Sequence, residues 1–160
     1  MRFPFATLLL FLLVLAPYFF FSSNAFYLTD FFLNQYSAAS GNLLGLAAYL
    51  FLHVGLIHLI ANLVPLVLFA FLLETILSAG SVVLVFLVSG VVSGAVFSFI
   101  NPASSLVGAS AGIAGLMAAA AVLRPKWSLA LLLLTPLLTS FLFIPLVTSF
   151  SQQYAENLGT

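Results

Sequence analysis

Long apolar runs separated by short polar stretches dominate the pattern of this chain. A helix rises about 1.5 Å per residue, so about 20 apolar residues cross a bilayer core of about 30 Å. The runs predict five membrane-spanning helices, at residues 5–22, 52–73, 81–100, 110–123 and 128–150. We therefore expect an all-α, polytopic membrane helix bundle, folded as one domain over residues 1–160.

The first apolar run has two interpretations. Arg2 ahead of it and the small-residue stretch 23–25 behind it are also typical of a cleaved signal peptide. However, the run continues through the aromatic residues 18–21, where a signal peptide turns polar. This continuation favours a retained span. The aromatic-rich connection 24–42 that follows fits either a segment at the membrane interface or an ordinary loop.

The second apolar run, 43–73, is too long for one untilted span. We expect its first part to lie at the outer interface and the span to start near His53. Gly55, His58 and Asn62 are spaced three and four apart, which places them on one helix face. His53 precedes His58 by five residues and is expected to point away from that face, into the interfacial loop.

Small residues recur in the third and fourth spans. Gly90, Gly94 and Ser98 are four apart, which predicts a stripe for close helix contact. The fourth span, 110–123, is short and rich in glycine and alanine. A helix this slim is expected at the centre of the bundle, with neighbours on all sides.

The composition agrees with this class, because 64% of the residues are hydrophobic and 4% are charged, a balance that only a membrane interior tolerates. The formal net charge is +0, so nothing points to a nucleic-acid partner. There is no cysteine, and two histidines with three acidic residues are too scattered for a metal cluster. We expect neither a metal nor an organic cofactor.

The few cations predict the orientation. With five spans and a cytoplasmic N-terminus, Arg2, Arg124 and Lys126 all fall on the cytoplasmic side, as basic residues do in membrane proteins. The long first connection and the C-terminal tail are then expected on the outer side.

The candidate chemistry lies in Gly108-Ala109-Ser110-Ala111-Gly112, a G-x-S-x-G sequence. One interpretation is tight helix packing, which also requires small residues. The other is a serine in the first turn of a buried helix, where free N–H groups favour an oxyanion.

Helix lengths place three polar groups at one depth. Asn62 lies roughly 18 Å and His58 roughly 24 Å above Glu74 at the cytoplasmic end of their helix. Ser110 lies roughly 21 Å above Arg124 at the end of its own helix. Polar groups in lipid are costly unless they pair or face water. A hydrogen bond to a neighbouring helix would explain His58 alone or Asn62 alone. It explains less well why His58, Asn62 and Ser110 all lie at one depth.

These residues together resemble the rhomboid intramembrane serine proteases. The resemblance rests on His53-x-Gly55-x-x-His58, on Asn62 and Glu74 farther along the same span, and on Gly108-x-Ser110-x-Gly112. It extends from the second span to the end of the fourth, and the combined spacing is more specific than either motif alone.

The resemblance implies a six-helix core, of which five spans are present here, with a water-filled cavity open to the outer side. It implies cleavage of transmembrane protein substrates near the outer membrane surface. Ser110 would be the nucleophile, and His58, Asn62 and the Ser110 N–H would form the oxyanion hole. The residues that would shape or support the site are Gly108, Gly112, His53, Gly55 and Glu74.

The sequence departs from the family pattern in three respects. The family takes its base from a histidine on a sixth span, in a pattern like A-H-x-x-G, whereas no histidine follows Ser110 here. We expect the protein to continue beyond Thr160 into such a span. The first connection has no Trp-Arg pair, which concerns how the protein lies in the membrane. Ala70 stands where a glycine is usual, which concerns helix packing.

Three functions remain open from the sequence. The first is a rhomboid-type serine endopeptidase. The second is a non-catalytic rhomboid-like protein that binds transmembrane helices in the same cavity. The third is a small transporter or channel subunit with His58 and Asn62 as a polar site. The lack of charged groups in the predicted spans and of an inverted repeat argues against the third.

Overall fold

The computed structural model describes residues 3–21, 43–101 and 104–149. This part of the chain is all-helical, as predicted. Its six α-helices are α1 (Phe5–Phe21), α2 (Leu43–Ala48), α3 (Leu56–Glu74), α4 (Ala79–Ile100), α5 (Ser110–Leu123) and α6 (Pro125–Leu137). A 3₁₀ turn, Tyr49–Phe51, follows α2, and a π-helical segment, Leu138–Phe143, follows α6.

Three helices are long and apolar enough to cross a membrane: Leu56–Glu74, Ala79–Ile100 and Pro125–Ser149, the last of which includes the π-helical segment. The helices α1 and α5 are shorter and also apolar. The chain is therefore an integral, multi-pass membrane protein.

Three helix starts differ from the prediction, and the smallest difference is in the third span, which begins at Ala79 and not at residue 81. The second span was expected from residue 52, but α3 begins at Leu56, because Gly55 precedes it with φ 85° and ψ 152°, which no helix contains. The last span was expected from residue 128, but α6 begins at Pro125. Proline suits the first helical position, where no amide hydrogen is needed. Arg2, the connection 24–42 and the tail 151–160 lie outside the described residues.

Glycines let α5 approach α4 closely. A Cβ atom on Gly112 would lie 2.6 Å from the ring of Phe86 and 2.9 Å from its backbone oxygen, and one on Gly115 would overlap Ser89. Only a helix without side chains at these positions can pack at this distance. The opposite face of α5, which carries Ala114 and Ala118, is exposed in the described part of the chain. The expectation that α5 has neighbours on every side is therefore not met among these residues.

The small-residue stripe of α4 is buried, as expected, but the contact of Gly90 is not with another long helix. Gly90 faces the segment before α3: its carbonyl accepts a hydrogen bond from Tyr49 Oη at 2.7 Å. A Cβ atom on Gly90 would lie 2.6 Å from Leu50 Cδ2. Tyr49 and Leu50 are completely buried, so this segment belongs to the core.

Glu74 joins the end of α3 to the start of α1. Its carboxylate is largely buried and accepts hydrogen bonds from the N–H groups of Ala6 at 2.7 Å and Thr7 at 3.0 Å, and from Thr7 Oγ1 at 2.8 Å. The first-turn amides of a helix have no acceptor within the helix, and a negative charge is favoured there. Glu74 thus caps α1 and sets it antiparallel to α3.

The position of Glu74 agrees with the depth expected from the sequence, at the far end of α3 from the candidate site. It lies at the opposite end of α3 from His58, roughly 24 Å away along the helix. Its role is structural, because three donors of α1 depend on it.

We predict that Glu74→Ala destabilises the protein by more than one ordinary hydrogen bond. Removing the carboxylate leaves buried donors at Ala6 and Thr7 without an acceptor, and a hydrogen bond to a charged group contributes about 1.5–3 kcal/mol. Thermal unfolding in detergent should show a larger loss for Glu74→Ala than for Thr7→Val, which removes the hydroxyl alone. Equal losses in the two variants would contradict the capping role.

Candidate active site at the start of helix α5

Ser110 is the first residue of α5, and its side chain is exposed. The first hydrogen bond onto the preceding turn comes from the Ile113 N–H to the Ala109 carbonyl, at 3.0 Å. The amides of residues 110–112 therefore have no acceptor within the helix, and they point out of its positive end. The Ser110 hydroxyl makes no hydrogen bond with the part of the chain that the structure describes.

The two amides before Ser110 are both occupied. The Gly108 N–H donates to the Tyr49 carbonyl at 2.8 Å, and the Ala109 N–H donates to His53 Nε2 at 3.3 Å. The segment 49–53 thus holds the turn that leads into α5. As a consequence, the first free amide at this helix end is that of Ser110 itself.

His53 lies inside the protein, in contrast to its expected position in an interfacial loop. Its side chain is 4% exposed. The expectation assumed a continuous helix, but residues 52–55 are not helical, so a spacing of five residues does not determine the direction of the side chain. Because Nε2 accepts a hydrogen bond, the proton of the neutral imidazole is on Nδ1. Nδ1 has no hydrogen-bond partner among the described residues.

His58 packs directly against the turn before Ser110. A Cβ atom on Gly108 would lie 2.9 Å from both Cε1 and Nε2 of His58. The rings of His53 and His58 meet edge to face, with centroids 5.1 Å apart. Gly108 also has φ 112°, which a residue with a side chain rarely adopts. Glycine is therefore required here both for the backbone conformation and for the approach of the imidazole.

Asn62 lies one helical turn after His58 and is buried. Its Nδ2 donates to the His58 carbonyl at 2.9 Å, which fixes the amide group on its own helix. An amide nitrogen carries two hydrogens, so one remains for another acceptor.

The structure thus brings His53, His58 and Gly108 into contact immediately before Ser110. The other proposed structural residues have separate places: Gly55 precedes the first turn of α3, and Gly112 faces Phe86.

Tyr49 is a site residue that the sequence motifs do not reveal. Its carbonyl accepts a hydrogen bond from the Gly108 N–H, and its hydroxyl donates one to the Gly90 carbonyl of α4. A signal existed, because Tyr49 is the one hydroxyl-bearing residue in the apolar stretch 43–52, and a buried tyrosine hydroxyl needs an acceptor. The sequence could not indicate which acceptor.

This arrangement can stabilise a negative charge next to a serine hydroxyl. The free amides of α5 and its helix dipole favour an oxyanion at that point, and His58 lies beside the same turn. Within the described ranges, no group of three or more histidine, cysteine or acidic side chains could hold a metal ion.

Comparison with known proteins identifies the domain. The family model for the rhomboid domain matches residues 40–159, which include every residue of the candidate site. No curated protein and no solved structure matches the chain significantly.

We predict that Gly108→Ala is more damaging than Gly55→Ala. Both glycines have positive φ, and a side chain there costs about 1–3 kcal/mol in backbone strain. The space around Gly55 is open, whereas a methyl group on Gly108 must also displace His58. Thermal unfolding should show the larger loss for Gly108→Ala, and NMR signals of the His58 ring should shift in that variant alone. A smaller loss in Gly108→Ala would contradict the contact.

Proposed function

Because the chain belongs to the rhomboid family, we propose that it is an intramembrane serine endopeptidase with Ser110 as its nucleophile. The observation that carries this proposal is the start of α5. There the amides of Gly108 and Ala109 are occupied, and that of Ser110 is free beside its own hydroxyl. A peptide carbonyl attacked by Ser110 would place its oxyanion next to this amide.

His58 and Asn62 complete the proposed oxyanion hole. His58 lies against Gly108, two residues before the nucleophile. Asn62 holds the His58 carbonyl and keeps one N–H for the substrate. Donors that are fixed before the reaction act most strongly on charge that develops in the transition state, because they need no reorganisation.

The hydroxyl of a serine needs a base to become a nucleophile. His53 and His58 are the two histidines in these 160 residues, and the proposal gives both of them other tasks. The proposal therefore names the nucleophile and the oxyanion donors, and its test uses the full-length protein.

The proposed substrates are transmembrane proteins, cleaved near the outer membrane surface. Arg124 and Lys126 lie where α5 ends and α6 begins, at the opposite end of α5 from Ser110. Basic residues favour the cytoplasmic side, so the end of α5 with Arg124 and Lys126 is proposed to face the cytoplasm, together with the N-terminus. The site, at the other end of α5, then opens to the outer side. No metal, organic cofactor or nucleic acid takes part in this proposal.

The second candidate is a non-catalytic rhomboid-like protein that binds transmembrane helices. The observation in its favour is that the Ser110 hydroxyl has no hydrogen-bond partner in the described residues. Such a protein would need the cavity but not the hydroxyl. Its binding would therefore survive Ser110→Ala.

We predict that a fluorophosphonate probe labels Ser110 and that Ser110→Ala abolishes both labelling and cleavage. The assay uses a transmembrane reporter substrate in liposomes. Ser105→Ala is the matched control, since Ser105 is an exposed serine of the preceding loop. It should keep both activities. Cleavage that persists in Ser110→Ala would contradict the proposal. If the wild type and Ser110→Ala both bind a transmembrane helix and neither cleaves it, the second candidate is favoured.

We also predict that His58→Ala and Asn62→Ala each lower kcat by about 10²–10³-fold, the usual effect of losing one oxyanion donor. The probe should still label Ser110 in both variants, because the hydroxyl remains, but more slowly, because one donor to the developing charge is lost. Thermal unfolding serves as the control for a folded protein. A folded Asn62→Ala variant with unchanged kcat would exclude Asn62 from the oxyanion hole.

A further inference from the structure

His53 has a position that neither the nucleophile nor the oxyanion hole accounts for. We propose that His53 is a positioning residue for the Ser110 reaction, which holds the Ala109 amide so that the Ser110 amide and hydroxyl keep their places. This inference rests on the proposed function. It is carried by the 3.3 Å hydrogen bond from the Ala109 N–H to His53 Nε2 and by the burial of the imidazole.

The turn before Ser110 needs an external support. Gly108 adopts φ 112°, and a glycine does not hold such a conformation by itself, because many others are open to it. Ala109 provides no side-chain cap for α5. Among the described residues, the segment 49–53 supplies both acceptors: the Tyr49 carbonyl for Gly108 and His53 for Ala109.

The Ala109 bond also decides which amide meets the substrate. If the His53 acceptor were absent, the Ala109 N–H would become a free donor next to the Ser110 N–H. The turn could then rotate and present either amide to the oxyanion. Catalytic groups misplaced by about 1 Å can cost about 10²-fold in rate. His53 thus acts on the rate through Ala109 and not by touching the substrate.

The hydrogen bond from Ala109 excludes His53 as the base for Ser110. A base needs a free lone pair, but the lone pair of Nε2 is occupied by Ala109 and Nδ1 carries the proton. If His53 took up the serine proton, it would have to release Ala109. Nδ1 is buried without a partner in the described residues, which also sets it away from solvent.

Two substitutions separate an acceptor from a packing residue. His53→Gln can place an oxygen near the position of Nε2, and His53→Leu fills the space without an acceptor. We expect His53→Leu to lower kcat by about 10²-fold with little change in KM, and His53→Gln to restore most of the rate. Thr7→Val controls for stability alone, because it removes a hydrogen bond at the far end of α3 and should leave kcat unchanged.

A second readout does not depend on activity. Hydrogen exchange of the Ala109 amide, followed by NMR on protein labelled with ¹⁵N-alanine, should be slow in the wild type and in His53→Gln. It should be faster in His53→Leu. If His53→Leu does not fold, His53→Asn replaces it, because its side chain is too short to reach Ala109.

The outcomes are distinct for the two proposals. Wild-type protein without Ser110-dependent labelling overturns the proposed function, and the Ala109 exchange then still tests the support of the turn. Equal loss of kcat in His53→Gln and His53→Leu, with Ala109 exchange unchanged, overturns the positioning role. So does unchanged kcat in a His53→Leu variant whose Ala109 exchange has become faster.

Discussion

The need to pair every polar backbone group inside an apolar medium governs this structure. Helix starts show it most clearly, because the first amides of a helix lack acceptors. At α1, the Glu74 carboxylate supplies them from the end of α3. Before α5, the Tyr49 carbonyl accepts from the Gly108 amide and His53 accepts from the Ala109 amide. Among the described residues, the Ser110 amide has no acceptor. A helix start that is fully capped holds the bundle together, and one that is partly uncapped can bind an anion.

Glycine makes these pairings geometrically possible. Gly112 lets α5 pack against Phe86 of α4, Gly90 accepts the contact of Leu50, and Gly108 admits the ring of His58. In a membrane, helices gain little from excluding water, so close backbone approach contributes much of their association. The same contacts bring the segment before α3 and the turn before α5 together. Packing and site geometry therefore depend on one set of small residues.

The two histidines beside the turn before Ser110 differ in burial and in what they contact. His53 is buried and neutral, with its Nε2 lone pair facing a backbone donor. His58 is partly exposed and lies against Gly108, two residues before Ser110. Their rings contact each other edge to face. We infer that the burial of His53 keeps the turn in place, whereas the exposure of His58 leaves it available to a substrate.

The sequence alone determined the helical class, the bounds of α5 at 110–123 and the position of Ser110 at a helix start. These follow from local properties, since the apolar character of a run and the breakers at its ends are carried by the residues themselves. The burial of His53, the role of Tyr49 and the partners of Glu74 were decided only by the tertiary structure. Each of these polar groups finds its partner 41 to 68 residues away in the chain, and no local pattern identifies such a partner.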